Sequence, residues 1–189
     1  MLVLVGRSCV GKDTIKKILI NKYNMDRVVT CTTRPPRDGE VDGVDYHFMK
    51  SEYFTDVVGL FAEKTQYHIA SGETWHYGSR ISDYKDSDNK VIILNPEGLK
   101  AVRGKNLPVF AVEISSPDSI IKSRQMVRGD DPVEAARRFN QDIIDFADID
   151  KYTDTCVINF GKSDPDWCAR NIYKIYQYWL KKYENKSNG

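Results

Sequence analysis

The stretch Gly6–Thr14, GRSCVGKDT, sits between an apolar run, MLVLV at the chain start, and a segment from Thr14 to Tyr23 that places Ile15, Ile18 and Leu19 on one side. A glycine-rich turn between a buried strand and a helix wraps a phosphate with backbone N–H groups. The helix N-terminus adds the positive end of its dipole, and a lysine adds a full charge. Gly6 and Gly11 permit the close backbone path, Arg7, Ser8, Cys9 and Val10 fill the turn, and Lys12 is placed to reach the terminal phosphates. A mere tight turn carries the same letters; the position between strand and helix favours the phosphate reading. Asp13 stands where the full pattern has a hydroxyl. A carboxylate beside a phosphate is repelled, so Asp13 is expected to point away, toward solvent or a basic neighbour, which suits the first turn of a helix. Thr14 then offers the hydroxyl on the metal side.

Outward from the loop, the composition narrows the class. The chain has 189 residues, 41% of them hydrophobic, enough for one domain with a real core. Lys and Arg number 28 against 27 Asp and Glu, a net charge of +1. That balance argues against a protein that coats nucleic acid or an anionic membrane, so an anionic partner must meet a local cluster of positive charge. No apolar run approaches the ~20 residues of a membrane span. The start has no basic n-region and too short an apolar stretch for a signal peptide. Cys9, Cys31, Cys156 and Cys168 have neither CxxC spacing nor a metal-like grouping with the three histidines, and read as free thiols. The expectation is a cytoplasmic protein, a monomer by default.

Apolar runs like MLVLV recur at Arg27–Cys31, Lys90–Leu94, Leu107–Ile114 and Thr155–Ile158. Ser116-Pro117 reads as an N-cap with proline at the first helical position, and Asp131-Pro132 with Glu134 repeats the signal. Ala135, Phe139, Ile143 and Phe146 then keep helical spacing. The last helix carries one stripe, Cys168, Ile172, Ile175, Tyr176, Trp179, Leu180 and Tyr183, read as core, with the tail NKSNG frayed. Strands alternating with helices predict an α/β fold on a parallel sheet. From Asp45 to Tyr77 the pattern alternates instead, with turn signals at Ala70-Ser71-Gly72, and predicts a small antiparallel flap. Asp83–Asp88, DYKDSD, reads as a solvated acidic turn.

A second anion site is suggested at Thr30–Phe48, TCTTRPPRDGEVDGVDYHF. Arg34 and Arg37 flank two prolines that fix the local backbone, and two pre-placed guanidinium groups can trap a phosphate. The pair alone reads equally as an exposed basic turn. Here, however, the sequence resembles the guanylate kinase family, which has TTRxPRxGExxGxDYxF where this chain has TTRPPRDGEVDGVDYHF at Thr32–Phe48. The likeness runs from the phosphate loop to about Asn159. It implies that Arg34, Arg37, Tyr46 and Tyr77 hold the phosphate of GMP, and that Thr30, Glu63 and Ser79 read the guanine, the two hydroxyls donating to O6. Guanine presents two adjacent donors that one carboxylate accepts together, whereas adenine would leave Glu63 unpaired. By itself Glu63 in LFAEKTQY is as readily a surface carboxylate. The chain departs from the family in two further places. About five extra residues, within YHIASGETW, lengthen the hairpin after Glu63. Asn95, in Ile93-Leu94-Asn95-Pro96-Glu97, replaces an aspartate and is counted with the GMP-binding residues.

Arg124 and Arg128, four apart and just before Gly129, share a helix face, and Arg137-Arg138 follow the next turn. Without the phosphate loop these read as surface arginines in i,i+4 pairs. By resemblance they form a lid, with Lys12, Arg34, Arg124, Arg128 and Arg138 as the catalytic cations. Asn159 takes its place near the ATP adenine. The resemblance implies a phosphate-loop core (1–31, 80–123, 147–184), a nucleoside-monophosphate flap (32–79) and a helical lid (124–146). The implied reaction is ATP + GMP = ADP + GDP with Mg²⁺, in purine nucleotide metabolism, with small nucleotides rather than nucleic acid or membrane as partners. The alternatives are a kinase of another or broader (deoxy)nucleoside monophosphate, and a non-catalytic module of the same fold that binds protein partners.

Overall fold

Every residue of the first strand, β1 (Leu2–Val5), is buried, and its side chains alternate between two cores. Leu2 and Leu4 face a cluster with Ile15, Leu19, Val112, Ile121, Ile172 and Tyr176; Val3 and Val5 face one with Ile92, Leu99, Val102, Ala111 and Ile149. A strand apolar at every position is what a sheet covered on both faces requires. The computed structural model describes residues 1–56, 59–68, 72–161 and 165–187.

Around β1 the sheet has five parallel strands in the order β2-β7-β1-β8-β9, with β2 at Asp26–Arg27, β7 at Lys90–Ile93, β8 at Phe110–Ser115 and β9 at Thr155–Ile158. Helices α1 (Lys12–Tyr23) and α6 (Pro165–Ser187) supply one of the two cores and α3 (Pro96–Gly104) the other, while the short α2 (Ser51–Asp56) lies between β2 and β7 in the chain. β1 is central, with β7 and β8 on either side, so the crevice at its carboxyl end is where such sheets bind ligands. The phosphate loop leaves β1 at that end.

A second sheet, β4-β3-β6-β5, comprises β3 (Cys31–Thr32), β4 (His47–Phe48), β5 (Phe61–His68) and β6 (Thr74–Arg80). The β5–β6 and β3–β6 pairs are antiparallel, but β3 and β4 are parallel, so the expected antiparallel flap is a mixed sheet. The strand expected at Arg27–Cys31 is also two strands. Asp26 and Arg27 finish the parallel sheet, Cys31 and Thr32 open the second, and Val28–Thr30 cross between them. Of the hairpin turn, Ala70 and Ser71 lie outside the described residues; Gly72 has φ +87°.

Three local readings need correction. Ser116 does not cap α4 (Asp118–Arg128): the N-cap is Pro117, and the Ser116 hydroxyl donates to the Asn159 carbonyl at 2.8 Å. Asp131 does cap α5 (Pro132–Asp145), accepting from the Glu134 N–H at 2.9 Å, but none of the α5 residues is fully buried. Its spacing is helical; its apolar face lies over the loop, where Phe139 takes the Arg7 guanidinium at 4.5 Å. In α6, Cys168, Ile172 and Tyr176 are core, whereas Ile175 and Tyr183 are exposed, and the helix runs through Ser187 where a frayed tail was expected; 188–189 lie outside the described residues.

Candidate functional site

The phosphate loop is shaped by two glycines. A Cβ at Gly6 would stand 2.2 Å from the Ile114 carbonyl oxygen of β8, and one at Gly11, where φ is +101°, would stand 2.8 Å from Asn159 Nδ2. No side chain fits at the first position, and the second adds a backbone conformation that L-residues avoid. Asn159 is 3% exposed and donates from Nδ2 to the Val10 carbonyl at 2.9 Å. It braces the loop from beneath besides lining the adjoining cavity.

That cavity has a volume of about 390 Å³ and is lined by Cys9, Gly11, Lys12, Asp13, Thr14, Arg124, Arg128 and Asn159. Within it the cations are turned inward onto protein oxygens. Lys12 Nζ donates to the carbonyls of Gly6 (2.6 Å) and Arg7 (2.9 Å), and Arg124 Nη1 to that of Cys9 (2.9 Å). Burial pulls the Lys12 ammonium below its ordinary pKa, against the opposing charges of Asp13 and Asp142. Arg128 pairs with Asp130 through a bidentate contact. Arg138 is not brought to this cavity: its Nε donates to Glu134 Oε1 at 2.7 Å on an exposed part of α5.

One contact of the loop has no precursor in local sequence. The Ser8 N–H donates to Asp142 Oδ2 of α5 at 2.7 Å, so a carboxylate takes an amide of the kind that would otherwise face a phosphate. Asp13 is exposed, as expected, yet it also borders the cavity with Thr14. Among the described residues no group of three or more His, Cys, Asp or Glu could hold a metal ion. The Thr14 hydroxyl and the Asp13 carboxylate are hard oxygen donors. They fit Mg²⁺, which takes most of its ligands from water and phosphate.

At the flap, Arg34 is buried. Its guanidinium spans both Glu40 oxygens (2.7 and 2.9 Å), donates to the Pro35 carbonyl and lies over the Tyr46 ring at 5.5 Å. Tyr46 meets Tyr77 edge-on at 6.0 Å, and Tyr77 meets Tyr67 at 5.5 Å, so three phenols share this end of the flap. Arg37 is exposed and contributes its backbone N–H to Glu40 at 2.7 Å. The paired guanidinium trap is therefore one buried arginine and one solvent-facing arginine. The Thr30 carbonyl accepts from the His47 N–H at 2.9 Å, which ties that residue to β4.

Glu63 is 7% exposed. Its Oε1 accepts both from the Ser79 N–H (2.7 Å) and from the Ser79 hydroxyl (2.8 Å), across the β5–β6 ladder. Burial pushes its carboxyl above the ordinary range, and the two Ser79 bonds pull the other way. A serine hydroxyl has one proton, and Ser79 gives it to Glu63, so the donation to a base oxygen expected of Ser79 is not made in this arrangement. Asn95 is likewise occupied. Its Oδ1 accepts from the Gly98 N–H as the N-cap of α3 (2.8 Å), and its Nδ2 donates to Thr65 Oγ1 (3.2 Å).

A five-stranded parallel sheet with a phosphate loop at its switch point, and a second sheet that carries a buried carboxylate and leads into a buried arginine, defines a nucleotide-binding α/β protein. Residues 1–153 match the family model described as guanylate kinase. The chain is 31% identical to a guanylate kinase of Prochlorococcus marinus over 146 residues, 73% of this chain and 77% of that one. It is 32% identical to one of Synechococcus over 167 residues, covering 84% and 88%. The fold is similar to the crystal structure of guanylate kinase from Anaplasma phagocytophilum, with a TM-score of 0.65 at 21% identity over 94% of this chain and 84% of that one. The chain belongs to the guanylate kinase family.

Proposed function

We propose that the protein transfers the γ-phosphoryl group of ATP to GMP, giving ADP and GDP reversibly. The observation that carries this reading is the pairing of two unlike sites. A cationic cavity surrounds the phosphate loop, and a buried carboxylate with one free oxygen stands on β5 of the second sheet, whose β3 leads into Arg34. The first suits a triphosphate tail; the second suits a base with adjacent donors and a phosphate nearby.

In the reaction a phosphate oxygen of GMP attacks the γ-phosphorus, and the bond from that phosphorus to the β–γ bridging oxygen breaks, leaving ADP. The GMP phosphate is already an anionic nucleophile, so no general base is required. The residues bind, orient and neutralise. Lys12 leaves the Gly6 and Arg7 carbonyls for the donor phosphates, and Arg124 and Arg128 turn toward the charge that builds on the migrating group. Arg34, Arg37, Tyr46 and Tyr77 hold the acceptor phosphate, and Glu63 takes the guanine N1–H and N2–H₂, with Thr30 and Asn95 at the edge of the base. Arg138 reaches the site only if α5 swings inward, since it now faces Glu134. Thr14, with Asp13 at the rim, would hold Mg²⁺, which when bound neutralises phosphate oxygens of the donor. Closure of flap and lid excludes water, so hydrolysis does not compete.

No helix among the described residues is long and apolar enough to cross a membrane. The four free thiols and the balanced charge support action in the cytoplasm on small nucleotides, with a monomer as the default state. An ADP-release assay with ATP and a panel of GMP, dGMP, AMP, CMP and UMP tests the reading. Turnover is expected with GMP and at least about 100-fold lower kcat/KM with AMP. Equal rates with AMP, or none with GMP, would contradict it.

A further inference from the structure

The segment Asp83–Asp88 reads as a solvated acidic turn, yet three of its residues are inside. Asp83 pairs with Arg80, Ser87 donates to the Tyr84 carbonyl at 3.0 Å, and Tyr84 is 2% exposed. The Tyr84 hydroxyl lies 2.9 Å from Ser79 Oγ. Proton counting fixes the direction of that contact. An ionised carboxylate only accepts, so Ser79 spends its one proton on Glu63 Oε1 and receives the proton of Tyr84.

We propose that Tyr84 is a positioning residue for base recognition, its hydroxyl donating to Ser79 Oγ and thereby fixing Ser79 as a donor to Glu63 Oε1 while Oε2 is left for the base. The inference rests on the reading of Glu63 as the guanine acceptor. Among the described residues Oε2 accepts no hydrogen bond. It lies at the N-terminal turn of α3, where a Cβ on Gly98 would stand 3.3 Å away. The remaining groups that face Glu63 are few. Lys105, after α3, donates to the Ala62 carbonyl at 2.7 Å and draws the carboxyl down, and Asn95 is occupied as a cap. Tyr67 comes near from the same strand as Glu63, and the buried Cys31 thiol of β3, itself pushed up by burial, feels the same carboxylate. Without the Tyr84 proton, Ser79 Oγ is left as a buried acceptor and its bond to Glu63 is less polarised, which favours the neutral carboxyl. A neutral carboxyl carries its proton on the oxygen left free, Oε2, and then opposes the guanine N–H donors instead of accepting from them.

The test is Tyr84→Phe, which removes one oxygen and keeps the ring. The expected result is a KM for GMP raised about fivefold, the effect of one net hydrogen bond, with kcat and the KM for ATP within about twofold of wild type. The acid limb of kcat/KM for GMP should also move to higher pH. Ser79→Ala should shift that limb at least as far, and adding Tyr84→Phe to Ser79→Ala should change nothing more. An unchanged KM for GMP, equal changes for both substrates, or additive effects in the double variant would overturn the role of Tyr84 while leaving the kinase reading intact. Failure of the wild type itself to phosphorylate GMP would overturn both. Should Tyr84→Phe not fold, the Ser79→Ala limb decides, and an unmoved limb refutes the relay.

Discussion

The phosphate loop and the proposed base pocket of the flap would both bind by hydrogen bonds, but their side chains rest in different states. At the loop the cations already satisfy protein acceptors: Lys12 and Arg124 hold backbone carbonyls, Arg128 holds Asp130, and Asp142 caps the Ser8 N–H. On the proposed function, each of those contacts is exchanged when a triphosphate is gripped. At the base pocket the acceptor stands ready, with Glu63 held on one oxygen by Ser79 and free on the other. On this reading the donor end would spend binding energy on rearrangement, and the acceptor end would be set in advance. Discrimination is therefore expected to reside at the flap, and turnover to depend on how the loop and lid re-form.

Lys12→Ala strikes the donor end hardest. Steady-state assays should show kcat reduced about 100- to 1,000-fold, with the melting temperature little changed, because the lysine is bound only to carbonyls that water can serve. A kcat within twofold of wild type would remove Lys12 from the chemistry. Glu63→Gln strikes the acceptor end. The amide replaces one acceptor by a donor, and the GMP to AMP ratio of kcat/KM should fall about 100-fold; an unaltered ratio would mean that another group reads the base.

A pH series separates the two ends without mutation. Burial raises the Glu63 carboxyl, and GMP needs it ionised, so kcat/KM for GMP should fall about tenfold per unit as pH drops through that raised pKa, beginning above the ~4.3 of an ordinary glutamate. The KM for ATP should not follow that limb, and Glu63→Gln should abolish it. The smallest effect is expected for Asp142→Asn. Removing the carboxylate beside the loop should tighten ATP about two- to fivefold in equilibrium titration, with GMP unaffected. Weaker ATP binding would show that Asp142 supports the bound state rather than competing with it.

The same contrast separates what is legible in the sequence from what is not. The loop, β1 and much of the stripe of α6 depend on local pattern: glycine where a backbone must approach closely, apolar residues at the period of their element. The alternation of strands and helices likewise yields the parallel sheet. Contacts between distant residues leave no such mark. Asp142 meets Ser8 across 134 positions, and a carboxylate on a polar helix looks like any solvated side chain. Asp83–Asp88 misleads for a related reason, since Asp83 is neutralised by Arg80 and Tyr84 is drawn inward to Ser79, neither of which a run of acids suggests. The break of Arg27–Cys31 into two strands is a matter of which sheet each end pairs with, and apolar character alone does not say. Glu63 is legible only through the family motif around Thr32–Phe48; its burial and its two bonds from Ser79 are properties of the folded hairpin.

The most direct measurement is a crystal structure with ADP and GMP bound together. It should show Lys12 Nζ drawn off the Gly6 and Arg7 carbonyls onto the ADP phosphates, Asp142 released from Ser8, and Glu63 Oε2 within hydrogen-bonding distance of guanine N1. A guanine seated away from Glu63, or phosphates bound with Lys12 still on those two carbonyls, would contradict the account.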